Sequence, residues 1–120
     1  MPIFVLNTNL KKSAIPEGFC NDVSELLAKV LQKEKYYFCA HINSDQQLTY
    51  AGTDEPAAYG TLSSIGEAII GGEHNVAITN ALYPFLEAKL GIKNSRLCIV
   101  YHRLIGSEVA FEARTLSEMK

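Results

Sequence analysis

The chain has 120 residues, a formal charge of −2 and a pI near 5.9. That length suits one domain spanning residues 1–120, and the balanced charge with no basic run argues against nucleic acid as the main partner. No apolar run approaches the ~20 residues of a membrane span, and Met1-Pro2-Ile3 lacks the basic start of a secretory signal. A cytoplasmic location is therefore expected, with export by a leaderless route as the alternative.

The elements follow from periodicity. Ile3 to Leu6 reads as a strand buried on both faces, with Pro2 tolerated at its first position. Pro16 to Gln32 reads as a helix. Phe19, Cys20, Val23, Leu26, Leu27, Val30 and Leu31 recur on one stripe, with Glu17 and Asp22 near the start and Lys29 near the end. Tyr36 to Asn43 reads as a strand, and Gln47 to Ala51 as a shorter one joined to it by a hairpin turn at Ser44-Asp45-Gln46. Gly52 to Pro56 is a loop, and Ala58 to Ile65 a long strand.

Gly71-Gly72-Glu73 breaks the chain before a second helix, His74 to Leu90. Its buried stripe is read as Val76, Ile78, Leu82, Phe85, Leu86 and Leu90. Pro84 is expected to kink this helix rather than end it, and Gly91 to close it. Arg96 to Arg103 is the last long strand, Glu108 to Phe111 a short one, and the tail after Ala113 is expected to fray.

The order gives an α+β fold of two pseudo-repeated β-α-β units. They form a mixed four-stranded sheet with two antiparallel helices on one face, each crossover right-handed. The other face carries too many apolar residues to meet water, so oligomerisation through it is expected. The cysteines are Cys20, Cys39 and Cys98. Neither Cys39 with His41 nor Cys98 with His102 fits a four-ligand zinc pattern, so buried free thiols in a reducing compartment, and no metal or cofactor, are expected.

Pro2 with Phe4, Asn7-Thr8-Asn9, Pro16 with Gly18-Phe19, Lys33, His41, Asp45-Gln46, Glu55-Pro56 and Ser64-Ile65-Gly66 occur in this order. In that spacing the chain resembles the macrophage migration inhibitory factor family of the tautomerase superfamily, from Met1 to about Phe111. The resemblance implies a homotrimer with an active site at each subunit boundary. It implies Pro2 as general base, once Met1 is trimmed, and Lys33 as the group that binds the carboxylate or carbonyl oxygen of a small keto or enol substrate. The Ile65 backbone N–H, with Ser64 beside it, would donate to the same oxygens. Burial of a prolyl amine in an apolar pocket disfavours its charged form, and a nearby ammonium such as Lys33 adds to that, leaving a base that is neutral at working pH.

The chain departs from the family pattern at three positions. Cys98 stands where many members have tyrosine, Val100 where they have asparagine, and Phe111 where a tryptophan often lies, while Tyr37 keeps one aromatic wall. These exchanges imply a wider, less polar and still partly aromatic mouth and an altered substrate preference, with weak or absent activity on phenylpyruvate-type substrates. Ala57-Ala58-Tyr59-Gly60 occupies the place of the Cys-x-x-Cys found in some members, which removes a thiol–disulfide role through that motif. Two extra residues fall within Glu67 to Ile70. The resemblance carries a second reading, a secreted cytokine-like protein that binds a cell-surface receptor and keeps little tautomerase activity.

Overall fold

The computed structural model describes residues 2–65 and 71–118; the two extra residues read within Glu67 to Ile70 lie outside them. Strand β1 (Ile3–Thr8) alternates: Phe4, Leu6 and Thr8 are buried, while Ile3, Val5 and Asn7 are half-buried. Expected burial on both faces is therefore corrected to burial on one, because within the chain only one face of the sheet is covered. β1 is central. It pairs in parallel with β2 (Cys39–Asn43) and antiparallel with β3 (Ala58–Ile65), which pairs in parallel with β4 (Leu97–Leu104), giving the order β2-β1-β3-β4. Each parallel pair is bridged by a helix, so the two β-α-β units of the expected α+β fold are both present.

Helix α1 (Phe19–Leu31) starts three residues later than Pro16. Gly18 sits at φ 78° and closes a turn in which the Phe19 N–H reaches the Pro16 carbonyl, so Glu17 lies outside the helix. Phe19, Val23 and Leu27 are buried, and Cys20, Leu26, Val30 and Leu31 pack around them. The helix ends at Gln32, at φ 54°, where the Lys33 N–H reaches back to the Ala28 carbonyl at 3.0 Å.

Helix α2 (Gly72–Leu90) runs through Pro84. Proline leaves the Asn80 carbonyl without its helical donor, but both residues are exposed, so water serves instead. Ile78, Leu82, Leu86 and Leu90 form the buried stripe, each burial worth about 1.5–3 kcal/mol. Val76, expected in that stripe, is exposed at 60% because it lies off the row spaced by four. The first turn of α1 meets the last turn of α2: the Phe19 and Phe85 rings lie 6.2 Å apart, and Lys89 Nζ is 3.5 Å from Asp22. The helices are thus antiparallel and cover the face of the sheet that carries Phe4, Leu6 and Leu62.

Three other expectations change. Lys35–Tyr37 forms a 3-10 turn, so β2 begins at Cys39 and not at Tyr36. Gln47 to Ala51 forms no strand beyond an isolated bridge between Tyr50 and Thr53, and Ser44-Asp45-Gln46 makes no hairpin. The Asp45 and Gln46 N–H groups bond instead to the carbonyls of Leu10 and Thr8 at the end of β1. The tail expected to fray after Ala113 is ordered as far as Glu118: β5 (Ala110–Phe111) pairs with β6 (Arg114–Thr115), followed by a 3-10 turn at Leu116–Glu118.

Gly60 lies opposite Leu6, where a Cβ would meet the Val5 carbonyl oxygen at 2.2 Å. Gly60→Ala should therefore destabilise the chain by about 3 kcal/mol in chemical denaturation, since a ladder carbonyl cannot move aside. A second test concerns α2 and β4. The Tyr101 hydroxyl shares a hydrogen bond with Thr79, and the Tyr83 hydroxyl donates to the Leu97 carbonyl. Burial raises both phenols above their ordinary value of 10.0. The unfolded chain ionises first, so their contribution is present below pH 10 and is lost as pH rises through the raised values. Stability measured from pH 9 to 12 should fall, and the combined Tyr83→Phe and Tyr101→Phe variant should show a shallower fall.

Candidate active site

Pro2 is buried immediately before β1, and its carbonyl accepts the Cys39 N–H at 3.0 Å. Because Ile3 pairs with Ser63, Pro2 lies beside Ser64 one rung further on. Ser64 is fully buried, and its Oγ is a buried side-chain oxygen with no hydrogen-bond partner among the described residues. An unpaired buried hydroxyl costs about 1–3 kcal/mol, so its retention calls for a reason. Ile65 ends β3 at the same end of the sheet, half-buried and paired with Leu104. Lys33 follows α1 directly and is exposed, and the chain then runs through Lys35–Tyr37 into β2 beside Pro2.

An aromatic group stands at this end. Tyr36 and Tyr37 meet edge-to-face with centroids 5.1 Å apart, and Phe111 lies 6.1 Å from each. The Tyr36 hydroxyl donates to Glu112 Oε2 at 3.3 Å. Tyr36 and Glu112 were not among the residues expected in the site. The Tyr36-Tyr37 doublet was a usable signal, but its link to Glu112 spans 76 positions and is invisible in sequence.

The expected burial of the cysteines is corrected: Cys20 is half-buried, while Cys39 and Cys98 are exposed on the face of the sheet that the helices leave uncovered. Cys98 and Val100 are not brought to Pro2 within the chain. Both lie on the uncovered face of β4, Cys98 opposite Tyr59 and Val100 opposite Thr61. Pro2 and Ser64 follow the buried, helix-facing alternation. Cys98 is also level with Asn7, about 16 Å along β1 from Pro2 at 3.3 Å per residue. Among the described residues no group of three or more His, Cys, Asp or Glu could hold a metal ion, and no helix is long and apolar enough to cross a membrane.

The opposite end of the sheet is tied by side chains. Arg96 donates to the carbonyls of Tyr50, Thr53, Glu55 and Pro56, and lies over the Tyr50 ring. Asn9 donates to the carbonyls of Asp54 and Glu55 and accepts the Ala57 N–H, while Thr8 donates to the Ala57 carbonyl at 2.7 Å. Asn43 donates to Asn7 between the paired strands β1 and β2. The run Asn7-Thr8-Asn9 and the pair Glu55-Pro56 are thus fastenings rather than catalytic groups.

Two strand–helix–strand units, with a buried proline at the head of the central strand, define the α+β architecture of the tautomerase superfamily. The family model for macrophage migration inhibitory factor matches residues 1–117. The macrophage migration inhibitory factor homolog of Trichinella spiralis is 41% identical over 115 residues, covering 96% of this chain and 99% of that protein. Mouse macrophage migration inhibitory factor is 33% identical over 117 residues, covering 98% of this chain and all of the mouse protein. The solved Trichinella spiralis structure superposes with a TM-score of 0.88 at 40% identity, covering 94% of this chain and 98% of that one. The structure from Oncomelania hupensis reaches a TM-score of 0.89 at 22% identity, a likeness of fold. The chain belongs to the macrophage migration inhibitory factor family.

The Arg96 clamp carries its own test. Arg96→Ala releases four carbonyls and should cost about 2–3 kcal/mol, since hydrogen bonds to a charged donor are each worth more than neutral ones. Amide exchange should accelerate in residues 50–57 first. Unchanged exchange there would contradict the clamp.

Proposed function

We propose that this chain is a keto–enol tautomerase in which Pro2, freed by removal of Met1, is the general base. The observation that carries this reading is the burial of Pro2 beside Ser64, whose buried Oγ has no partner. In the keto-to-enol direction the Pro2 nitrogen takes a proton from the carbon next to the carbonyl. The electron pair moves to the carbonyl oxygen, which is then protonated, and the reverse sequence returns the keto form. Lys33 holds the substrate's carboxylate or carbonyl oxygen. The Ile65 N–H and the Ser64 hydroxyl donate to the developing enolate, where one aimed donor is worth a few kcal/mol. Tyr37 and Phe111 line the mouth.

The working unit in this reading is a homotrimer. Support comes from the uncovered sheet face, where Tyr59 and Val100 are 48% and 47% exposed and Ile3, Val5 and Ile65 are only half-buried. A neighbouring subunit packed there would cover this face and would bring its Cys98 and Val100 to the Pro2 site. A non-polar thiol and valine at those positions favour a weakly polar substrate. They also keep a second reading open, a secreted cytokine-like protein acting on a cell-surface receptor with little turnover. That reading draws on the mouse relative's name, macrophage migration inhibitory factor.

Intact mass, sedimentation and enol–keto conversion of D-dopachrome methyl ester and hydroxyphenylpyruvate test the proposal on one sample. The expected result is loss of one methionine, a particle near three times the 13.2 kDa chain, and measurable turnover. Pro2→Gly should lower kcat by at least about 100-fold with the trimer intact. A fully active Pro2→Gly variant would remove Pro2 from the mechanism. A processed trimer without turnover that binds cells would favour the receptor reading.

A further inference from the structure

The hairpin that carries Phe111 turns through Glu112 and Ala113, at φ 52° and 66°. A two-residue hairpin turn of this kind needs left-handed backbone at both positions. Neither residue is the glycine or asparagine that adopts it with little strain. The ladder behind the turn has only two residues on each side. Its open end is secured: the Leu116 N–H reaches the Val109 carbonyl at 2.8 Å, and Glu118 accepts both the N–H and the hydroxyl of Thr115 at 2.7 and 2.8 Å. At the turn, the Tyr36 hydroxyl donates to the Glu112 carboxylate, and the Phe111 ring rests against Tyr36 and Tyr37.

We propose that Glu112 is a positioning residue that sets specificity at the Pro2 end of the sheet. By accepting the Tyr36 hydrogen bond it pins a strained hairpin and so fixes the Phe111 ring beside Tyr37 as a wall for substrates that carry a flat ring. The proposal rests on the tautomerase reading of Pro2. The logic is local. Strain at two adjacent left-handed residues favours relaxation of the turn, and a two-residue ladder resists it weakly. Glu112 opposes that relaxation where the strain sits. Its negative charge also raises the Tyr36 phenol above the ordinary tyrosine range. Tyr37 stands two residues before Cys39, whose N–H is bonded to the Pro2 carbonyl, which ties the wall to the base through a short stretch of chain.

The sequence contains no tryptophan, so Phe111→Trp supplies a single indole that reports docking of the hairpin. In that background Glu112→Ala and Tyr36→Phe should each shift the emission to the red. Their combination should shift it no further, and Glu112→Gln, which keeps an acceptor, should stay near the parent. In the processed chain with Phe111, Glu112→Ala should raise KM for hydroxyphenylpyruvate about five-fold with kcat held, the loss expected of one hydrogen bond. The KM for an aliphatic 2-keto acid should not move. Unmoved emission in both single variants overturns the latch. A red shift with equal KM changes on both substrates overturns the specificity role. If the parent turns over neither substrate, the tautomerase reading has failed, and the dissociation constant of hydroxyphenylpyruvate decides the rest. Weaker binding by Glu112→Ala upholds the wall; equal binding, or none by the parent, overturns it.

Discussion

The alternation of side chains along β1 and β3 governs this molecule. In β1, Phe4, Leu6 and Thr8 go under the helices while Ile3, Val5 and Asn7 go to the uncovered face; in β3, Ala58, Gly60, Leu62 and Ser64 are buried and their neighbours are not. A shift of one residue in either strand would exchange the two sets, so register is strongly specified. The same register puts Pro2 and Ser64 on the buried side at one end, and Cys98 and Val100 on the other side. One constraint therefore builds the core, buries the proposed base and leaves the other face of the sheet uncovered.

The two ends of the sheet are secured differently. At the end away from Pro2, backbone groups of residues 50–57 have little ladder to join, and side chains of Asn9, Thr8 and Arg96 take them up. Arg96 suits that task because a planar guanidinium can donate in several directions from one position. The Pro2 end is looser by comparison. Its aromatic group rests on ring contacts and a single exposed hydrogen bond to Glu112, and Ser64 keeps an unpaired hydroxyl. The Ser64 hydroxyl and the left-handed pair Glu112 and Ala113 stand at this end, and a ligand there could repay their cost. Firm fastening at one end allows such concessions at the other.

The proposed site at the Pro2 end draws on groups from distant parts of the chain. Lys33 arrives at the close of α1, where Gln32 takes a left-handed conformation and turns the chain toward β2. Ser64 and Ile65 arrive at the end of β3, and Phe111 on a hairpin near the last described residues. Parallel pairing of β1 with β2 and of β3 with β4 brings the ends of the helical crossover and of β3 to the same edge as the start of β1. In this arrangement the hairpin at the rim can vary while Pro2 and Ser64 stay fixed by the ladder.

Local sequence determined the existence, type and order of the four long strands and both helices, because apolar runs or stripes of the right length stand between clear breaks in the chain. It also carried the family likeness, through Pro2, Lys33 and the fastening residues Asn7-Thr8-Asn9 and Glu55-Pro56. Tertiary structure decided what had no local signal. Gln47 to Ala51 has strand composition, yet the N–H groups before it bond to the end of β1, and the segment is held by Arg96 instead of a partner strand. Ile3 to Leu6 is continuously apolar, and only the position of the helices distinguishes its buried residues from its uncovered ones. The stretch from Arg114 to Glu118 looks polar and short, but it gains a ladder with β5 and a Glu118 cap on Thr115. Periodicity is a property of neighbours in the chain; hydrogen-bond partners and covered faces belong to residues that meet only after folding.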